Sequence, residues 1–435
     1  MLGARERQSI NQGVKEGSDN YEDYGSDPLP PVCHSWPSKK GLSRLVLHQF
    51  RNYQELDLSL QSNPVILTGS NGAGKTNILE AISFLSPGRG LRSVKLSQVT
   101  NLKKLNQGLP AAASWAIAAT VESDLGPVEL GTGLGYTSTG NERRLVKING
   151  QPTKAQASLT DWISIIWVTP QMDRLFLEGA STRRKFIDRL VYAVDATHAM
   201  RVHRYEHHLR ERAHLLREGR YDPLWVSTLE RHLAEDGVAI TVARHQVVKS
   251  LEEAQQQDTC YPFPQFQAEM TGEVETWMTN QPALAVEDIY AEKLKISRPH
   301  DGEIGGAATG PHRSDFQVHH LAKQLPAELC STGEQKMLLL AVTLAFTRVQ
   351  ESYRSCPTVL LLDDVAAHLD DHHRSVLFQE ICNPVVNPCQ ENRQDTSKRL
   401  LQVWMTGTDR IAFQGLNDQA QFLTVHNATI TNGLH

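Results

Sequence analysis

At 435 residues, with 40% hydrophobic and 21% charged residues, the chain has the composition of an ordinary soluble protein with room for two or three compact units. A formal net charge of −5 gives no global sign of nucleic-acid binding, so any such binding must rest on local basic clusters. Six cysteines without C-x-x-C spacing give neither a zinc site nor a disulfide framework, and no apolar run is long enough to cross a bilayer, so free thiols and a cytoplasmic location are expected.

Residues 1–40 are polar and rich in Gly, Ser, Asp and Asn, and are expected to form a disordered extension. Two strands, around Leu45-Val46-Leu47 and Leu56–Leu60, flank Phe50-Arg51-Asn52-Tyr53. Asn63–Thr68 then reads as a buried strand that runs into Gly69-Ser70-Asn71-Gly72-Ala73-Gly74-Lys75-Thr76. From Asn77 to Leu85 the apolar residues recur at helical spacing. Strand, glycine-rich turn and helix make this stretch a phosphate cradle: backbone N–H groups close around an anion and the helix N-terminus adds partial positive charge. Lys75 is expected to reach the terminal phosphates and Thr76 to ligate Mg²⁺.

The loop-rich residues 86–110 carry Arg89, Arg92, Lys95, Lys103 and Lys104. Short β runs follow at Trp115–Val121, Val128–Leu134 and Leu145–Ile148, with Asn149-Gly150 as a hairpin turn. Ile163–Val168 reads as a buried strand ending at Thr169-Pro170-Gln171. From Ser181 to about residue 255 the pattern is helical; His203 and His207 lie one turn apart there but lack further ligands, so they read as solvated surface. Residues 256–310, with Pro262, Pro264, Pro282 and Pro299, are expected to be irregular.

Chemistry returns after residue 310. Ser331-Thr332-Gly333-Glu334 precedes a helix that is apolar nearly all round, so Ser331 and Gly333 offer an anion a hydroxyl, close backbone and a helix dipole. Thr358–Leu362 reads as a central strand delivering Asp363-Asp364, the first suited to Mg²⁺ and the second to the attacking water. Ala367-His368-Leu369-Asp370 and a last strand at Leu400–Thr406 follow.

Loop, cap, paired aspartates and final strand occur in the order of the ABC-type ATPase head. Within that superfamily the chain resembles the RecF family. The residues that carry the resemblance are Phe50-Arg51-Asn52-Tyr53, Gly179 with Arg183-Arg184-Lys185-Phe186-Ile187-Asp188, Thr309–Asp315, and Leu361–Asp364 through Leu369-Asp370. It spans about Ser43 to Ala428. The fold implied is α/β: an ABC-type ATPase head, a mixed sheet with an antiparallel β portion, plus a helical second lobe. Its segments are residues 41–190 and 306–435 for the ATPase lobe and 191–305 for the helical lobe. The resemblance further implies ATP contacts from Arg51, Asn52, Asn77 and the loop 69–76, and Mg²⁺ held by Thr76, Asp363 and Gln171. Ser331, Gly333 and Glu334 would act in trans as the signature, with Asp370 in the D-loop.

Such proteins form an ATP-dependent homodimer, clamp double-stranded and gapped or single-stranded DNA, and hydrolyse ATP slowly. They serve with RecR and RecO in loading RecA and are nucleoid-associated. Arg89, Arg92, Lys95 and Arg143 are the candidate DNA contacts. Two positions depart from a pattern: Gln171 stands where the family more often has an acid, and Thr406-Gly407-Thr408 replaces the switch histidine of transporter heads. Rival readings are a transporter ATPase subunit, an SMC-type clamp, for which Pro223 and Pro262 cut the helices too short, and an ATPase of this superfamily with another role.

Overall fold

The computed structural model describes residues 40–60, 64–101, 114–219, 221–256, 263–366, 369–382, 401–416 and 419–432. Residues 1–39, Lys103, Lys104, Ala367, His368 and Leu400 lie outside them. The first strands, β1 (Gly41–Phe50), β2 (Tyr53–Ser59) and β3 (Val65–Thr68), lead into helix α1 (Lys75–Ser83). Next come β4 (Ala116–Ser123), β5 (Gly126–Tyr136), β6 (Glu142–Ile148), β7 (Gln151–Thr153) and β8 (Ser164–Val168). Three helices follow, α2 (Ala180–Val194), α3 (His198–Glu218) and α4 (Pro223–Gln256). After β9 (Phe266–Thr271) come α5 (Glu273–Asn280), α6 (Ala283–Ile304), β10 (Asp315–His320) and β11 (Leu325–Pro326). The chain ends with α7 (Thr332–Tyr353), β12 (Thr358–Leu362), α8 (Asp371–Cys382), β13 (Leu401–Gly407), β14 (Gln421–His426) and β15 (Thr429–Asn432).

Burial pattern sorts the strands. In β4, β5 and β6 buried and exposed residues alternate, the period of a sheet with one dry face, and these strands join the antiparallel sheet β2-β1-β4-β5-β6-β7. The Asn149-Gly150 turn between β6 and β7 has positive φ at both residues, as a two-residue hairpin needs. By contrast β3, β8, β12 and β13 are buried throughout and belong to the sheet β15-β14-β3-β13-β12-β8, parallel apart from β15. Alternate residues of that sheet feed two cores. Val65, Leu67, Val359, Leu361 and Trp404 face α1 and the antiparallel sheet, while Ile66, Leu360, Leu362 and Met405 face α2, α7 and α8. The Gln402 side chain joins the sheets, accepting from Leu42 N at 2.9 Å and donating to Leu42 O at 3.0 Å.

Residues 263–310 are not irregular: they hold β9, α5 and the 22-residue α6, while Pro262 lies outside the described residues. Pro282 caps α6 at its N-terminus, where a missing N–H costs nothing. Pro299 lies inside it, and the last turns are held from outside: Arg212 donates to Asp301 at 2.9 Å and Arg298 forks onto Glu230. Strand β9 pairs with β10, and its buried residues share the core of α7 and β12, so the helical segment is stitched to the parallel sheet. Helices α3 and α4 span 21 and 34 residues, and Gly219, in the left-handed region, ends α3. Long coiled-coil arms are absent among the described residues.

The stretch Thr309–Asp315 is threaded between helices. Arg183 forks onto Asp315 with both contacts at 2.7 Å, and Arg244 donates to Pro311 O at 2.7 Å. His312 donates from Nε2 to Ala307 O at 3.0 Å, which leaves Nδ1 to accept from Tyr205 at 2.7 Å, itself 2.8 Å from the Tyr290 hydroxyl. Burial pushes the imidazole down to about 4. A depressed folded-state value means that the stability from neutral His312 is present above the unfolded value near 6.5 and is lost as pH falls towards 4. Denaturant unfolding of the parent and His312→Asn across pH 7.5 to 4 should therefore differ in slope, the parent losing up to about 3 kcal/mol more. Parallel curves would contradict this.

Candidate nucleotide site

The phosphate loop leaves the C-terminal end of β3 and returns as α1. Its glycines are dictated by space: at Gly69 (φ 145°) a Cβ would lie 2.2 Å from Val425 O, and at Gly74 (φ 117°) 2.5 Å from Asn52 Nδ2. Lys75 is buried and its amine donates to Gly69 O at 2.6 Å and Ser70 O at 3.0 Å. Burial lowers its pKa, opposed by the fields of Asp364 and Asp363.

Strand order explains how the aspartates meet the loop. Strand β13 lies between β3 and β12, so Thr406 near its end stands between Thr76 and the aspartates. Thr76 and Thr406 both donate to Asp363 Oδ1, at 2.9 and 2.8 Å, while the Asp364 N–H donates to Thr406 Oγ1 at 2.8 Å. Asp364 has φ 53°, a left-handed conformation that Asp tolerates better than most residues and that turns the chain at the strand end. Burial raises the Asp363 pKa, with the two hydroxyls pulling it down. The Thr76 hydroxyl and the Asp363 carboxylate are hard oxygen donors on one spot, a set that fits Mg²⁺. Exposed Gln171 follows β8, whose Val168 O accepts from Asp363 N at 2.9 Å.

Beside the loop, Asn52 donates to Ala73 O at 3.2 Å and accepts from Asn77 at 2.7 Å, and Tyr53 donates to Gly74 O at 3.1 Å. Arg51, at φ 52°, forks onto Glu80 at 2.6 and 2.8 Å. Arg92 donates to Glu80 and to Asn77, both at 2.9 Å, so its guanidinium is turned onto α1. Arg89, Lys95 and Arg143 are exposed.

The signature residues keep to themselves. Ser331 caps α7 in a reciprocal box, Oγ accepting from Glu334 N at 3.4 Å and Glu334 accepting from Ser331 N at 3.0 Å. Lys323 pairs with Glu334 and is the main cause that holds its carboxyl down to about 2. Ser331, Thr332 and Gly333 are exposed, and among the described residues no hydrogen bond joins them to the phosphate loop. Asp370 caps α8, accepting from His373 N at 2.8 Å. His207 lies 3.7 Å from Glu211, and the described residues contain no group of three or more His, Cys, Asp or Glu that could hold a metal.

Several residues escaped the sequence reading. Glu80 is fully buried between two arginines; a lone acid among Ile78, Leu79, Ala81 and Ile82 was the available signal. Thr406 appeared only as the replacement for a histidine, not as the link between both aspartates. Buried Arg144, whose neighbour Arg143 drew attention, holds the turn after α1, donating to Ser86 O, Gly88 O and Phe84 O. No periodicity marks it.

The chain matches the family model described as RecF/RecN/SMC N terminal domain over residues 41–390. It is 39% identical over 395 residues to the DNA replication and repair protein RecF of Rhizobium etli (strain CIAT 652), covering 91% of this chain and 99% of that protein. With RecF of Rhizobium rhizogenes (strain K84 / ATCC BAA-868) the identity is 41% over 398 residues, covering 91% and 99%. The chain belongs to the RecF family. The fold agrees: a solved structure described as the recombination mediator protein RecF-ATP in the RecFOR pathway superposes with a TM-score of 0.71 at 20% identity, covering 91% of this chain and all of that one. The RecF-ATPrS structure gives 0.75, also at 20% identity, covering 92% of this chain and all of that one. As in other RecF-family chains, the nucleotide machinery here is that of an ABC/SMC-type ATPase. None of its described helices is long and apolar enough to cross a membrane.

Proposed function

We propose that this RecF-family chain binds ATP with Mg²⁺, closes head to tail with a second copy around it, clamps DNA at single-strand gaps, and hydrolyses ATP slowly. The observation that carries this reading is a split. Lys75, Thr76, Asp363, Asp364 and Thr406 converge at one end of the parallel sheet, whereas the anion-binding cap at Ser331 is exposed and bonded only within its own helix turn. A site built this way has its phosphate cradle in one copy and its γ-phosphate cap in another.

The chemistry follows from the residues. Loop N–H groups and Lys75 hold the phosphates, Arg51, Asn52 and Asn77 line the adjoining rim, and Thr76, Asp363 and Gln171 hold the metal. Bound Mg²⁺ supplies charge neutralisation on the terminal phosphates. Thr406 holds the Asp363 carboxylate and the Asp364 backbone N–H, and the Asp364 carboxylate orients the attacking water. Asp370, in the D-loop, faces the second copy. RecR and RecO as partners are supported by the RecFOR pathway named for the two solved RecF structures; RecA loading downstream and a nucleoid location belong to the same proposal.

DNA contact is assigned to exposed Arg89, Arg92, Lys95 and Arg143, of which Arg92 is also tied to the nucleotide rim through Glu80. ATPase assays with and without double-stranded DNA test the activity, stimulation being the expected result. Replacing Arg89, Lys95 and Arg143 together with Gln should weaken binding to all sequences and reduce the log–log salt slope by about one unit for each DNA phosphate no longer neutralised. An unchanged slope would remove this surface from the account.

A further inference from the structure

Arg189, on α2, is a guanidinium that no carboxylate faces among the described residues. It lies over two rings, 4.5 Å from the Trp167 centroid and 5.3 Å from that of Phe186. Nη2 donates to Trp167 O at 3.2 Å, and the two terminal nitrogens lie 3.7 and 3.6 Å from Met172 Sδ. Its Nε is shut from solvent with no acceptor, and burial pushes the group down to about 9. A half-satisfied buried cation is costly, and an apolar side chain of the same length would fill this space without that cost.

What the cation grips is informative. Trp167 stands four residues before Gln171 and Met172 directly after it, so one side chain grips the strand end and the short 3-10 helix Pro170–Arg174 on either side of Gln171. From the other side Lys336 reaches Asp173 at 3.5 Å. Between these grips Val168 O accepts from Asp363 N, so a slip of the segment would move Gln171 relative to the aspartate. The neighbour of Arg189, Asp188, points elsewhere and is forked by Arg244 of α4 at 2.8 Å on both oxygens. We infer that Arg189 is the positioning residue for Gln171, holding its side-chain carbonyl where Mg²⁺ joins Thr76 and Asp363; the inference rests on the metal role given to Gln171 above.

The test is equilibrium binding of the fluorescent analogue mant-ATP across a Mg²⁺ titration, for the parent, Arg189→Met, Arg189→Lys, Gln171→Ala and the Arg189→Met/Gln171→Ala double variant. Without Mg²⁺ all five should bind alike, because the phosphate loop is intact. The Mg²⁺ concentration at half-effect should rise about tenfold in Arg189→Met, in the range of losses seen when a residue supporting a metal ligand is removed. Arg189→Lys, which keeps a cation over Trp167, should rise less and shows that the change is not one of folding. In the double variant the half-point should stay within about twofold of Gln171→Ala alone, since Arg189 then has nothing to position. Multiplied effects in the double variant, or an unshifted Arg189→Met beside a shifted Gln171→Ala, would overturn the inference. An unshifted Gln171→Ala would instead remove the metal role of Gln171 itself.

Discussion

Asp364→Asn protein is expected to bind ATP with parental affinity and to hydrolyse it about 100-fold more slowly or less. The replacement is chosen for the backbone: Asp364 sits at φ 53°, a region that Asn also tolerates, and its N–H anchor on Thr406 does not involve the side chain. Metal binding should survive, because Asp363 keeps both hydroxyl donors. What is lost is one carboxylate charge beside the attacking water, and removing a positioned base costs about 10²–10⁴ in rate. Single-turnover hydrolysis with a parallel nucleotide-binding titration separates the two quantities. Parental turnover would move the water-orienting role to another residue.

Ser331→Arg should abolish the ATP-dependent dimer while leaving ATP binding to the protomer intact. Ser331 is an N-cap, so Arg in its place forfeits the bond to Glu334 N and about 1 kcal/mol of helix stability. Ser331→Ala isolates that cost: it shares the lost cap but adds no bulk, so comparing the two variants separates folding from docking. The Arg side chain is large and exposed in the free protomer, where nothing opposes it. Against a second copy it would displace the hydroxyl from the γ-phosphate and hold the faces apart. Sedimentation with ATP and with ADP, which lacks that phosphate, measures the effect: a dimer of parent with ATP only, and monomers of Ser331→Arg throughout.

The fold was legible where one pattern dominated. Val65–Thr68, Thr358–Leu362 and Met337–Phe346 of α7 are buried whole, and a nearly unbroken apolar run announces that directly. Proline misled in residues 256–310, because Pro282 starts a helix and Pro299 is carried by ion pairs from α3 and α4 that no local window contains. That Lys75, Thr76, Asp363 and Asp364 come together at one end of the sheet could be read because each stands at the end of a recognisable element. Glu80, Arg144 and Arg189 could not. Their partners lie 29, 60 and 22 residues away in sequence, on strands and turns whose neighbours only the folded sheet order supplies. Thr406 belongs with them: its meaning comes from β13 lying between the strands of the loop and the aspartates.

The central claim, that each ATP site is completed by a second copy of the chain, is tested most directly by mixing two inactive variants. Lys75→Ala lacks the cation of the phosphate cradle and Ser331→Arg lacks a usable cap, so each alone should hydrolyse almost no ATP. One of each can assemble a whole site from the cradle of one and the cap of the other, and the mixture should recover part of the parental ATPase activity. Parental activity in Ser331→Arg alone, or two inactive variants that stay inactive at every mixing ratio while parental protein dimerises with ATP, would contradict it.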